Sequence, residues 1–231
     1  IKEEKYRECY DEIWKPAEKL KPKDIMGLRG DPKHNFRDYY YEREVDKEIR
    51  ENIEKGENIL IIGDPLAGKT RAVYEALKGM QNTYVTILRA IDIDLEKFKV
   101  PELKRKGRKI IVLDDIDKYL TKRNFEYAFR EILSSDVTIV ATCKKGPQLK
   151  ALEKFLGKQG ISLWQQTEFK IIEIPKISIE EAKIIAEKIG TRIPEHFDGN
   201  IGSLFFDLQE MKNRYKELYE ENKTKELAIL V

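Results

Sequence analysis

The octapeptide Gly63-Asp64-Pro65-Leu66-Ala67-Gly68-Lys69-Thr70 constrains this chain more than any other stretch, because it fits the pattern G-x-x-x-x-G-K-[ST]. Glycine reaches backbone angles closed to other residues, so two of them let a loop curl until successive N–H groups point inward. An inward row of donors suits a multiply charged anion, above all a phosphate chain. Asn58–Ile62 ahead of the loop reads as a short apolar strand. Lys69–Lys78 reads as a helix, whose positive N-terminal end faces the same anion. Lys69 is expected to reach the outer phosphates and Thr70 to offer its hydroxyl to Mg²⁺. Asp64, Pro65, Leu66, Ala67 and Arg71 complete the set expected to surround the phosphates.

A second signal lies downstream in Ile110-Ile111-Val112-Leu113-Asp114-Asp115. Four apolar residues ending in acids describe a buried strand that delivers carboxylates to one end of a sheet. Asp114 is the expected metal partner, and Asp115 the group that orients or deprotonates an attacking water. Asp117 either caps the following helix or belongs to the same acidic site. A third strand, Val137–Thr142, ends in a hydroxyl. Thr142 either satisfies a local backbone group or, as a resemblance to P-loop ATPases with an additional central strand implies, senses the terminal phosphate.

Between these signals the chain alternates strand and helix. Strands are expected at Asn58–Ile62, Tyr84–Leu88, Lys109–Leu113, Val137–Thr142 and Phe169–Ile174, with helices at Lys69–Lys78, Asn124–Leu133 and Gln148–Leu156. Continuously apolar strands separated by helices imply a parallel sheet covered on both faces. The expected fold is therefore α/β, a three-layer α/β/α sandwich with a five-stranded, mostly parallel sheet. Ahead of it, residues 1–40 read as a Lys-rich lead-in broken by Pro16, Pro22, Gly27, Gly30 and Pro32. A helix carrying Val45, Ile49 and Ile53 then runs to Gly56. After Pro175 the pattern becomes helical. One helix opens at Ser178 and stops at Gly190, and a second starts near Ile201 and runs through Tyr215. The expected domains are a lead-in at 1–40, a nucleotide-binding domain at 41–175 and a small all-helical lid at 176–231.

The three signals together resemble the P-loop ATPases with an additional central strand. The run Tyr41-Glu42-Arg43-Glu44, followed by Ile49 and then the glycine loop, is similar to the N-terminal signature of AAA+ and STAND ATPases, with Glu42 where glycine is usual. Asp114-Asp115-Ile116-Asp117 resembles the STAND form of the acidic motif. Phe197–Leu204 resembles the start of the last lid helix, with Gly202 near the place where many relatives carry a phosphate-sensing arginine. The resemblance implies ATP or ADP with Mg²⁺ as cofactors and Tyr41 and Arg43 as contacts around the nucleotide. It also implies a regulatory ATPase that switches self-association of a longer signalling or defence protein through neighbouring domains. For Tyr41 and Arg43 a solvated helix start is the alternative.

No arginine occurs between Arg130 and Arg192, the interval in which these ATPases commonly place a trans-acting arginine. Such an arginine contributes orders of magnitude in rate. Lys144, Lys145, Lys150 and Lys154 are available instead, but lysine lacks the planar fork. Slow hydrolysis is the expectation.

The rest of the chain bounds the function. A net charge of +2 over 231 residues argues for no particular partner. Lys104–Lys109 is the most basic run, either a solvated turn before a strand or a phosphate contact for nucleic acid. It is what speaks for a DNA-acting AAA+ ATPase, a replication initiator or transposition regulator, as the alternative function. Tyr39–Tyr41 either covers an adenine ring or packs the core, and Trp14 and Trp164 read as packing anchors. Cys9 and Cys143 look like reduced thiols, and His34 and His196 are too scattered for a zinc site. No apolar run approaches the roughly 18 residues that span a bilayer, so the expectation is a cytoplasmic protein with no membrane partner. Ile1 and the apolar Leu227–Val231 read as cut ends, giving the expectation of a segment from a longer polypeptide.

Overall fold

Every residue of the strand Ile59–Gly63 (β2) is buried, as a strand covered on both faces requires. Its side chains divide by parity. Ile59 and Ile61 enter one apolar core with Ile49, Ile53, Ala72, Val73 and Leu77. Leu60 and Ile62 enter another with Phe125, Phe129, Ile132, Leu152 and Leu156. The helices behind these cores are Glu44–Lys55 (α2) and Lys69–Leu77 (α3) on one face, and Phe125–Leu133 (α4) and Pro147–Gly157 (α5) on the other. This is the three-layer sandwich expected from the sequence. The description is of a computed structural model and covers residues 14–34, 36–88, 98–157 and 167–205.

Besides β2, the sheet contains Lys15–Pro16 (β1), Thr83–Leu88 (β3), Arg108–Leu113 (β4), Thr138–Lys144 (β5) and Lys170–Glu173 (β6). The order across it is β1-β3-β4-β5-β2-β6. All pairs are parallel except β1 with β3. Strand β5 thus lies between β2 and β4, so the glycine loop and the acidic pair leave the sheet on either side of Thr142. Asn58 pins the start of β2 to its surroundings. It donates to the Thr167 carbonyl at 3.0 Å and accepts from the Ile139 N–H at 2.8 Å.

Two expectations change. The sheet has six strands rather than five, because β1 adds an antiparallel edge too short to show a period. The stretch 14–34 is also not a linker. Trp14, Ala17, Leu20 and Ile25 are buried, and Pro22–Met26 forms a short helix (α1). Trp14 donates its indole N–H to the Pro101 carbonyl at 3.0 Å. Its prolines and lysines disguised a packed segment whose apolar residues have no helical or strand spacing. Trp14→Ala is expected to cost about 3–5 kcal/mol in a denaturant titration. A loss within the half kcal/mol or so of a surface site would restore the linker reading.

Helix α2 ends at Gly56 in the left-handed conformation, φ 78°. Contacts divide the chain into two compact units, residues 1–175 and 176–231. In the second, Ile179–Ile189 (α6) opens on a capping box. The Ser178 hydroxyl accepts from the Glu181 N–H at 3.1 Å, and the Glu181 carboxylate accepts from the Ser178 N–H at 2.7 Å. It closes at Gly190, φ 67°. At Ile201–Leu204 the backbone forms a 3-10 turn rather than the start of an α-helix. The rest of the helix expected to run through Tyr215 lies outside the described residues, as do Trp164 and Cys9. Among the described residues, no helix is long and apolar enough to cross a membrane.

Candidate functional site

Gly63 closes β2 where a side chain would be crowded, since a Cβ there would stand 3.3 Å from the Cβ atoms of both Ala67 and Ile174. The loop then turns tightly, with the Ala67 N–H donating to the Asp64 carbonyl at 3.2 Å. Leu66 (φ 66°) and Gly68 (φ 92°) both adopt left-handed backbone. Glycine takes that conformation freely and leucine does so at a cost of about 1 kcal/mol or more. Asp64, Pro65 and Leu66 form the half-exposed rim of the loop, and Ala67 is buried beneath it.

Lys69 and Thr70 follow in the first turn of α3. The Lys69 ammonium is buried and donates to two backbone carbonyls, Gly63 at 2.9 Å and Asp64 at 2.8 Å. Burial lowers its pKa below the usual lysine value, opposed by the nearby Asp115 charge. The Thr70 hydroxyl donates to Asp114 Oδ1 at 2.9 Å, and the Thr142 hydroxyl donates to the same oxygen at 2.8 Å. Thr142 also accepts the Asp115 N–H at 2.8 Å. Its hydroxyl therefore joins the two acids, combining the local-satisfaction role with a place at the centre of the site.

Asp115 sits at φ 53°, ψ 59° and pairs with Lys118 at 2.9 Å. Burial opposes its ionisation. The charges of Lys118, Lys144 and Lys69 outweigh that, so its carboxyl lies below the ordinary aspartate range. Asp117 is buried nearby in the turn Ile116–Tyr119. The Cys143 thiol is pushed up to about 12, chiefly by burial and then by Asp117.

Of the remaining expected contacts, Arg43 bonds to the loop itself. Arg43 is buried, with its guanidinium donating to the Ala67 carbonyl at 3.1 Å, and Tyr41 is half-buried two residues before it. Arg71 is clasped from behind. Its guanidinium carbon is 4.8, 5.3 and 5.7 Å from the ring centroids of Phe36, Tyr40 and Tyr74. It also donates to the carbonyls of Arg37 and Asp38 at 3.2 and 3.3 Å and pairs with Glu75 at 2.6 Å.

Two lysines near the acids become distinguishable only in the fold. Lys144 ends β5, opposite Gly63 in the parallel register and on the same strand face as Thr142. Its charge acts on both Lys69 and Asp115. Lys145, its neighbour, is committed to Glu173 at 2.5 Å. Lys118, which the sequence motifs passed over, reaches Asp115 as its i,i+3 neighbour. Lys150 and Lys154 are exposed on α5.

This set of groups fits a phosphate chain with Mg²⁺. A buried ammonium bonded to neutral carbonyls has unspent charge for an anion. Thr70 and Asp114 supply the hard oxygens that Mg²⁺ takes from proteins, with water completing the shell. Among the described residues, no cluster of three or more His, Cys, Asp or Glu gathers for a metal held wholly by side chains.

No family model matches the chain, and no curated protein does. Solved structures do. A Walker-type ATPase of Pyrococcus abyssi is 14% identical, with 84% of this chain and 76% of that chain covered at a TM-score of 0.51. The ORC1 protein of Aeropyrum pernix in complex with DNA is 16% identical, with 74% and 53% covered and a TM-score of 0.46. A structure of Pif1 helicases unwinding forked double-stranded DNA is 17% identical, with 60% and 45% covered and a TM-score of 0.35. The chain thus spans about half the length of the ORC1 and Pif1 chains. At such identities a likeness speaks for the fold alone, and the match to the Walker-type ATPase of Pyrococcus abyssi agrees with the α/β sandwich described above.

Proposed function

We propose that this chain binds ATP with Mg²⁺ at Gly63–Thr70 and hydrolyses it slowly, as a nucleotide-controlled switch within a larger protein. The observation that carries the proposal is the convergence of Lys69, Thr70, Asp114, Asp115 and Thr142 at one end of three adjacent strands. Lys69 exchanges its carbonyl partners for phosphate oxygens. Thr70 and Asp114 hold the metal, which neutralises charge on the phosphates when bound. Asp115, ionised through the neutral range, accepts a hydrogen bond from the attacking water and orients it.

The slow rate follows from the cations at hand. No arginine lies between Arg130 and Arg192, and Lys144 is left as the positive charge on the face that carries Thr142. Lys144→Ala is expected to lower turnover by about ten- to a hundredfold with nucleotide affinity nearly kept. Lys145→Ala should stay within about twofold, because its partner is Glu173 rather than the acidic site. Equal losses in the two variants would remove Lys144 from the reaction.

The STAND-like regulatory role, with self-association and neighbouring domains as the output, rests on the motif resemblance. Titration of wild type with a fluorescent ATP analogue in Mg²⁺, with mass measured with and without ATP, tests the whole reading. No binding would end it. Turnover above about 1 s⁻¹ by a monomer, an ordinary enzyme rate, would end the switch. A DNA-acting ATPase is the second reading, favoured by the exposure of Lys104, Arg105 and Lys106. Arg108 is already bonded to the Glu54 carbonyl and Lys109 to Asp136, which shrinks the basic surface. Salt-sensitive binding to duplex DNA would support this reading, and its absence at low salt would remove it.

A further inference from the structure

A helix start requires only a small polar cap, yet the residue at the cap of α2 is Arg43, whose side chain is 5% exposed. Burying a guanidinium is costly unless its charge and donors are answered. Asp46 answers the charge, lying 3.5 Å from Nη2 and accepting the Arg43 main-chain N–H at 2.7 Å, while Nε keeps no hydrogen-bond partner among the described residues. Tyr40 belongs to the same cluster. Burial and the Asp46 charge push its phenol upward, and its ring faces Arg71. Outside this cluster Arg43 makes one hydrogen bond, from Nη1 to the Ala67 carbonyl at 3.1 Å.

That bond has a geometric consequence. The peptide joining Ala67 to Gly68 is planar and trans, so its carbonyl and its N–H point in opposite directions. Holding the Ala67 oxygen outward turns the Gly68 N–H the other way. This plane is also the one most in need of support, because Gly68, at φ 92°, has no side chain to restrict it. The strap 36–43 and the loop are tied reciprocally. Arg43 reaches from the strap to the loop backbone, and Arg71 reaches from the loop's helix to the strap carbonyls of Arg37 and Asp38.

We propose that Arg43 is a positioning residue of the phosphate loop, aiming the Gly68 N–H by its hold on the Ala67 carbonyl, with Asp46 fixing the guanidinium. The proposal rests on the reading of Gly63–Thr70 as a phosphate cradle. Arg43 acts through the loop and does not contact the nucleotide.

Two readouts on the full chain separate this role from general stability. The first is amide exchange of the loop peptide 63–70 without nucleotide, and the second is affinity for the fluorescent ATP analogue. Arg43→Ala is expected to speed loop exchange and to weaken binding, each by about tenfold, the scale of a lost hydrogen bond to a charged group. Arg43→Lys should recover part of both. Ile53→Ala, farther along α2, should lower the thermal midpoint without loosening the loop. Should Arg43→Ala fail to fold, Arg43→Lys and Asp46→Asn carry the same comparison. Unchanged loop exchange in the Arg43 variants overturns the proposal, as does equal loosening in Ile53→Ala. A loosened loop with unaltered affinity overturns the aiming of Gly68 alone. If wild type binds no nucleotide, the cradle reading fails and the aiming falls with it.

Discussion

Lys69→Ala is expected to weaken Mg-ATP binding by about a hundredfold or more while leaving the fold intact. The Lys69 ammonium is bonded to the Gly63 and Asp64 carbonyls at 2.9 and 2.8 Å. With ATP bound those donors meet phosphate oxygens, and charge-assisted bonds are worth about 1.5–3 kcal/mol each. Two of them account for the expected loss. Stability responds differently. The Gly63 carbonyl keeps the Lys145 N–H at 3.2 Å, and removing a buried charge relieves its desolvation cost. The thermal midpoint should therefore move by no more than a few degrees, the scale of about 1 kcal/mol in a domain of this size. Titration of a fluorescent ATP analogue beside a melting curve checks both halves. Affinity within a few fold of wild type would leave the loop without its assigned role.

Asp115→Asn is the second large effect, expected in the chemical step rather than in binding. A positioned acid–base group contributes about 10²–10⁴ in rate, so turnover should fall by that factor while ATP affinity stays within a few fold. Asparagine is the informative replacement because the backbone at this position is left-handed, φ 53°. Asn tolerates that conformation as Asp does, whereas alanine would add strain of its own. The bond from the residue 115 N–H to the Thr142 hydroxyl belongs to the main chain and survives the change.

The pH profile gives an independent check. The folded carboxyl of Asp115 titrates below its unfolded value. It is therefore ionised above the ordinary carboxylate range, and it loses charge, with its share of stability, only as pH falls through the lower folded value. Turnover should show no acid limb from Asp115 between about pH 6 and 8. Undiminished single-turnover hydrolysis in Asp115→Asn would move the water-orienting role to another group, with Asp117 the nearest candidate in sequence.

Much of the fold was written locally. β2 and the 110–113 part of β4 were legible because a stretch buried on both faces must be apolar throughout. α2 and α6 were legible because Gly56, Ser178, Glu181 and Gly190 mark their ends by backbone chemistry that acts within a turn. The segment around Trp14 was not, because its burial depends on β3 and on Pro101, far away along the chain. The site divides in the same way. Its glycines, Lys69 and Thr70 are adjacent in sequence, and their spacing alone carries the proposed reading of a phosphate loop. Arg71 is adjacent too, yet the aromatic rings of Phe36 and Tyr40 draw its cation to the strap, which adjacency could not reveal.

By itself, the sequence determined the three-layer architecture, the phosphate-type loop and the acidic strand end, since each rests on residues within a few positions of one another. Only the tertiary structure decided that β5 runs between β2 and β4. That order brings the Thr142 hydroxyl to both Asp114 and Asp115 and the charge of Lys144 to bear on Asp115, while Arg43 reaches the loop from the start of α2. The reason is physical. Backbone conformation and burial period are set by near neighbours, whereas which strand lies beside which is set by how the whole chain closes its two cores.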